Sequence, residues 1–373
     1  MSVKCQVLME ALDQLAPRYL AEPWDNVGLL LGNPAQDIKK ILVALDVTDE
    51  VAELAIANNY DMIVAHHPLI FKPMKNLRTD LPQGKLISKL IKNDIAIFSM
   101  HTNLDITKGG INDILAQKLN LQEVRPLNVT YAENLIKLAV FVPLEYVDIV
   151  RTAICKAGAG HIGNYDECTF KVKGTGSFRP LEGTSPFCGQ FDKLEQVEEY
   201  RLETIMPDKI VNKVIKAMIK AHPYEEVAYD LYRLENSLNE NGLGRIGKLT
   251  EPMIMKTFIE EVKNCFGINN LRFVGNTEKN IKKVAICSGS GSEFIIKSAY
   301  QGADVIITGD VKYHEAQQAL DNDINIIDAG HFGTEYHMAE FVAEYLKNKA
   351  ISEKWSIEEV DFDKISQDIF KFT

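Results

Sequence analysis

No two cysteines in the chain are spaced C-x-x-C. The six cysteines, Cys5, Cys155, Cys168, Cys188, Cys265 and Cys287, fit neither a zinc finger nor a small disulfide scaffold. Free thiols in a reducing, cytoplasmic compartment are the simple reading, and any bound metal must then be held by histidine and carboxylate. There is no run of about 18 apolar residues, so no membrane span is expected, and Met1-Ser2-Val3-Lys4-Cys5-Gln6 lacks the apolar core of a signal peptide. Positive charge is also short: 41 Lys and Arg against 52 Asp and Glu leave a net charge of −11. That balance argues against a nucleic-acid-binding surface. It does not exclude a nucleotide substrate, because a bound metal can reverse the local sign. A complete G-x-G-x-x-G is missing too. The loose version, Cys287-Ser288-Gly289-Ser290-Gly291-Ser292-Glu293, reads either as a tight turn between strand and helix or as a backbone anion contact.

What is present is ordinary globular material, 46% hydrophobic and 25% charged. At 373 residues it exceeds what one core usually organises, so two domains are expected. The most informative local feature is His66-His67. Asp61–Ala65 is short, apolar and bounded by Asn58-Asn59 and Pro68, which reads as a buried strand. Two imidazoles at its end, followed by a proline that stops the ladder, aim beyond the sheet edge. Strand ends are where α/β proteins place ligands.

Two distant segments echo one another. Lys39–Asp46, Asp49–Asn58 and Tyr60–Ala65 read as strand, helix and strand, and so do Lys282–Gly289, Glu293–Gln301 and Ala303–Thr308. In this alignment Asp61 matches Asp304, and His66-His67 falls on Gly309-Asp310. The echo continues in Asn93–Phe98 and Asn322–Ile327, each followed by H-x-x-x-D/E: His101 to Asp105, and His331 to Glu335. A duplicated α/β host with mainly parallel sheets is predicted. Between the halves, the order β-α-β-β-α-β with helices near 145–157 and 208–221 is the ferredoxin-like pattern. Hairpins and loops are expected over Gly158–Pro186, and Asn236–Gly242 reads as a return linker. The boundaries predicted are 1–129 and 237–373 for the host and 130–236 for an inserted domain.

His66, His67, His101, Asp105, Asp310, His314, His331 and Glu335 are the polar residues gathered at predicted strand ends. Nitrogen and oxygen ligands without cysteine suit zinc, manganese, iron or cobalt. His66, His67, Asp105, His331 and Glu335 are too many for one tetrahedral zinc, and about right for two divalent ions sharing a carboxylate. With only two anionic ligands such a site stays net positive. It would attract phosphate or a polarised carbonyl and lower the pKa of a bound water, which makes hydrolysis the default chemistry. His101 reads as either a ligand or a buttress. Asp310 and His314 could touch substrate or water, or be a turn and helix start with Asp310 as N-cap. His337 is expected on the surface, and His161 and His222 outside the metal site. Trp24-Asp25-Asn26-Val27-Gly28-Leu29 reads as a turn into a strand or as a wall of the substrate pocket.

Five blocks together resemble the signature of the GTP cyclohydrolase 1 type 2 homologues, the Nif-three-like family. They are Trp24–Leu29, Ala65-His66-His67-Pro68-Leu69, His101-Thr102-Asn103-Leu104-Asp105, Thr308-Gly309-Asp310 and Gly330-His331-Phe332 with Glu335. The resemblance spans the host portion, and residues near 130–236 match the long form with an insert similar to the PII/CutA signalling fold. It implies a dinuclear metal site, zinc being the first expectation, in a cytoplasmic toroidal homohexamer. His66, His67, Asp105, His331 and Glu335 would be the ligands, Glu335 bridging. The activity in the family's name opens the guanine imidazole ring and releases formate. It would call on an activated water, with His101 or His314 shuttling protons. The competing expectation is a metal-bearing regulatory or scaffold protein whose insert senses a small molecule. A nucleic-acid role, inside the channel of a ring, ranks third.

Overall fold

The computed structural model describes residues 2–371. The chain forms two compact units, one of residues 1–131 and 241–373, the other of residues 132–240.

Beside a two-stranded pair of Val3–Lys4 and Asp37–Ile38, the first unit contains two larger sheets built on one plan. In the first half, the strands Lys40–Ala44, Met62–Ala65 and Ala96–Ser99 lie parallel and adjacent, with Gly28–Leu31 antiparallel at one edge. In the second half, Asn280–Ser290, Val305–Gly309 and Asn325–Asp328 repeat the parallel set, and Arg272–Val274 takes the antiparallel edge. The sheets are therefore mixed. The first gains a fifth, parallel strand from the C-terminal Glu359–Phe362. The second is flanked by the antiparallel strand Tyr229–Ile254 through its residues 245–254.

Local chemistry explains the repeat. Asp61 Oδ2 accepts hydrogen bonds from the backbone N–H groups of Lys39 and Lys40 at 2.7 and 2.9 Å. Asp304 Oδ2 does the same for Lys282 and Lys283, both at 2.8 Å. Each aspartate at a strand start thus fixes the register of its neighbouring strand. The helix-to-strand turns repeat as well. Asn58, Asn93 and Asn322 cap their helices, each side chain donating to the carbonyl four residues earlier. The next residues, Asn59, Asp94 and Asp323, take the left-handed conformation at φ 55°, 52° and 52°. Asn and Asp tolerate that conformation best after glycine.

Each sheet is covered on both faces, and the outer helices cross over. The first sheet packs Asp49–Ala57 and Pro82–Lys92 on one face. Its other face buries Leu8 and Leu12 of Cys5–Leu15 together with Met338, Ala339, Val342, Ala343 and Leu346 of His337–Ser352. The second sheet receives Leu115 and Ala116 of Ile111–Lys118, which belongs to the first half, beside Met255–Phe266. The helix after each H-x-x-x-D/E turn therefore lies on the opposite half's sheet.

Asn236–Gly242, expected as a linker, is instead part of the continuous strand Tyr229–Ile254. Gly242 is needed there for close approach, since a Cβ would collide with the Asn128 carbonyl. Asn241 accepts a hydrogen bond from the Lys108 backbone. His337 is not a surface residue. It opens the helix that crosses over, its ring packs 5.7 Å from that of Phe266, and burial pushes its pKa down to about 4.

In the second unit, helices Val147–Lys156 and Val211–Ala221 bury Val150, Ile154, Val214 and Met218 against Leu138, Val140 and Leu202 of the sheet. Its strand order is Tyr229–Ile254, Gln122–Pro143, Glu195–Pro207, Thr169–Phe178, taken through the residues of those strands that lie within 132–240. The last two form a hairpin; Thr169–Phe178 lies in the region expected to hold hairpins and loops, and Glu195–Pro207 lies beyond it.

Candidate metal centre

Strand pairing carries the first two side chains to the site. The N–H groups of His66 and His67 donate to the carbonyls of Ala44 and Leu45, extending the parallel ladder just past Ala65. The next parallel strand ends at Ser99, and the short helix Thr102–Ile106 follows with His101 before it and Asp105 within it. In the other half, Asn325–Asp328 is followed by the short helix His331–Glu335, which holds both remaining residues. Because each H-x-x-x-D/E turn feeds a helix that crosses to the other sheet, the two turns face one another.

All four imidazoles are anchored through Nδ1. His66 Nδ1 is 2.7 Å from the Met100 carbonyl, His67 Nδ1 2.8 Å from Asp46, His101 Nδ1 2.8 Å from Asp25, and His331 Nδ1 2.7 Å from Asp310. Their Nε2 atoms are thereby turned inward. Glu335 lies among them. Its Oε2 is 2.9 Å from Nε2 of both His67 and His331, while Oε1 faces His66 Nε2 at 3.7 Å. Asp105 Oδ1 is 3.8 Å from His66 Nε2 and accepts a hydrogen bond from the Ser288 hydroxyl. Among the described residues, three overlapping groups could hold a metal ion: His66, His67 and His101; His67, His331 and Glu335; and His66, Asp105 and Glu335. The ligand atoms of each group lie within 4.8 Å of one another.

This donor set fits a divalent cation. Ligands about 2.0–2.2 Å from a tetrahedral ion stand roughly 3.3–3.6 Å apart, and the separations here, 2.9 to 3.8 Å, bracket that spacing. His66 is fully buried, yet its Nε2 has no hydrogen-bond partner. A buried polar atom without a partner is costly, and a cation would satisfy it. Histidines whose far nitrogen is held by a carboxylate or carbonyl are the usual supports of metal ligands.

The electrostatics point the same way. Burial works against charge on His67, but Asp46 and Glu335 outweigh it and raise the pKa to about 10. Hydrogen bonding to Glu335 raises His331 to about 9 against the opposing effect of burial. Glu335 is itself deeply buried, yet the surrounding imidazoles hold its carboxyl well below the usual range. Burial raises Asp105. Burial also opposes ionisation of Asp25, but hydrogen bonds from His101 and Thr102 overcome it and bring the pKa to about 2.

Some expected residues stand elsewhere. His314 is exposed on Tyr313–Asp321, with Nδ1 3.0 Å from Gln317, and does not join the cluster. Its place in a helix one turn beyond the strand end directs it away from the other imidazoles. Asp310, at φ 58°, supports His331 and is not an N-cap; Lys312 holds that position. The glycine-rich turn has its backbone already engaged. Ser288 N donates to Asn112, Gly289 N to Thr334 and Gly291 N to Thr308, which leaves those three groups unavailable to a phosphate. Gly289 serves the cluster differently, since a Cβ there would collide with Glu335 Oε1. Trp24 lies in a turn: it is 59% exposed, and its ring lies 6.0 Å from His101 and 5.8 Å from Phe71. Sequence reasoning missed Asp25, Asp46 and Ser288 as supports. Asp46, at the end of its strand just as His66 ends the next one, carried the only visible hint.

A family model described as Duf34/NIF3 (NGG1p interacting factor 3) matches residues 3–368. A Halalkalibacterium halodurans protein named GTP cyclohydrolase 1 type 2 homolog is 46% identical over 367 residues, 98% of each chain. A Bacillus subtilis protein of the same name is 44% identical over 356 residues, 95% of each chain. The crystal structure of a Bacillus cereus protein related to NIF3 superposes with a TM-score of 0.82 at 43% identity, covering all of both chains.

Proposed function

The chain belongs to the Duf34/NIF3 family, and from that premise we propose that it is a dinuclear metal-dependent hydrolase acting on a nucleotide or phosphorylated small molecule. The observation that carries this reading is the division of Glu335. One oxygen faces His67 and His331, and the other faces His66. Glu335 would serve two cations from this place, one that His67 and His331 would also hold and one that His66 and Asp105 would also hold. When bound, a pair of divalent ions, zinc first among them, supplies Lewis acidity and an activated water.

The remaining work falls to the chain's own groups. Met100, Asp46 and Asp310 orient the ligand imidazoles, and Ser288 orients Asp105. His101 is fixed by the ionised Asp25 so that Nδ1 carries its hydrogen, leaving Nε2 to ligate or to accept a proton at the site. Trp24 and Phe71 screen that flank from solvent.

The same reading makes residues 132–240 an inserted ferredoxin-like domain similar to PII and CutA. Its support is the order of elements and the strand order, in which the first and last strands are neighbours. It also makes the protein a cytoplasmic homo-oligomer, a hexamer by the family resemblance; no helix among the described residues is long and apolar enough to cross a membrane.

The test is to load purified protein with zinc, manganese or iron and to screen nucleoside phosphates for product by mass spectrometry. Turnover is expected only with metal, and His66→Ala should abolish it. Turnover by metal-free protein would overturn the reading, as would the absence of turnover with every metal and substrate.

A further inference from the structure

The second unit contains a cavity of about 370 Å³ that the metal chemistry does not use. That is within the range of small-ligand pockets, roughly 300–1,000 Å³. Phe178, Phe187 and Tyr224 form an aromatic wall, with ring centroids 6.2 Å apart for Phe178–Tyr224 and 5.9 Å for Phe187–Tyr224. Glu199, on the strand Glu195–Pro207, lines the same cavity and is only 7% exposed. Its Oε1 accepts a hydrogen bond from the Tyr224 hydroxyl at 3.0 Å.

The imidazole beside this carboxylate, His222, packs on Tyr224 and bonds the Phe141 carbonyl, and burial lowers its pKa, so it does not serve as a counter-charge. Among the described residues no lysine, arginine or histidine forms an ion pair with Glu199, and the neighbouring Lys173 pairs with Glu198 instead. Backbone composition preserves the space around it, since a side chain at Gly176 would collide with Glu199 Oε2. A buried carboxylate without a cation is expensive unless something charged is supplied. Aromatic faces attract cations as well. Glu225 and Glu226 add further negative charge to the lining; Arg179, also in the lining, is exposed to water, which screens its charge.

We propose that this cavity is a binding site for a small organic amine, its ammonium group meeting Glu199 and its apolar body packing on Phe178, Phe187 and Tyr224. Such a site gives the second unit a ligand of its own, independent of the metal centre.

The test is isothermal titration of the full-length protein with phenethylamine, its neutral analogue 2-phenylethanol, and phenylacetate. The amine should bind at least about tenfold more tightly than the alcohol, and the anion least of all. Glu199→Gln keeps an acceptor for Tyr224 and should erase the preference for the amine. Phe187→Ala, at a half-exposed position, should weaken amine and alcohol alike, and it keeps the test decisive if Glu199→Gln fails to fold. Equal binding of amine and alcohol would overturn the proposal. So would amine binding unchanged by Phe187→Ala or Glu199→Gln, or no amine binding at millimolar concentration.

Discussion

His66 condenses the argument at the scale of single residues, because its Nε2 is buried, unpartnered and aimed at two carboxylates. Around it the imidazoles compete for protons as they would for metal. His67 and His331 have folded-state pKa values of about 10 and about 9, against about 6.5 in an unfolded chain. Both are raised, so in metal-free protein their contribution to stability is complete below about pH 6.5 and is lost as pH rises through 9 and 10. Metal must displace those protons, so its affinity should climb over the same interval. Calorimetry in buffers of different ionisation enthalpy should therefore detect proton release on zinc binding at pH 7; heats independent of buffer would contradict this. The supports can be tested separately. Asp46→Ala and Asp310→Ala should each weaken metal binding at the His67–His331 side by about 10–100-fold, measured by chelator competition. They should leave affinity at the His66–Asp105 side nearly unchanged.

Among secondary-structure elements, the two halves are held in register by equivalent aspartates. Asp61 and Asp304 each accept two backbone N–H groups from the adjoining strand start. Asp61→Ala and Asp304→Ala should each destabilise the metal-free protein by about 1–3 kcal/mol, read from urea midpoints, and by similar amounts. A loss at one position only would show that the two clamps are not equivalent. This correspondence was legible in the sequence, since the Asp61–Asp304 alignment rests on a residue type that starts a strand for a physical reason. Asn58-Asn59 was legible as a strand boundary, whereas the capping of the preceding helices by Asn58, Asn93 and Asn322 came only with the structure. The continuous strand through Asn236–Gly242 was not legible, because glycine and asparagine there mark close backbone approach and read identically to a flexible link. His337 was misplaced because helical periodicity defines an apolar face, and that face says nothing about which sheet will cover it.

Across the whole molecule, the crossing helices decide where the chemistry lies. Ile111–Lys118 and His337–Ser352 each pack on the sheet of the other half, which brings the Asp105 and Glu335 turns together. The residues of the cluster could be collected from strand ends in the sequence, but their convergence depends on that exchange, which local patterns do not encode. The supporting carboxylates Asp25 and Asp46 were invisible for a related reason. An aspartate in a turn or at a strand end looks the same whether it faces water or an imidazole 2.8 Å away. His314 shows the converse, a histidine close to the right strand end whose helix directs it to solvent.

Whether Glu335 joins two cation sites is decided by native mass spectrometry of the full chain titrated with zinc. Two zinc ions per chain are expected in the wild type and loss of both in Glu335→Gln, with His66→Ala retaining the ion held by His67 and His331. A wild type that saturates with one zinc ion, or a Glu335→Gln protein that still binds two, would contradict it.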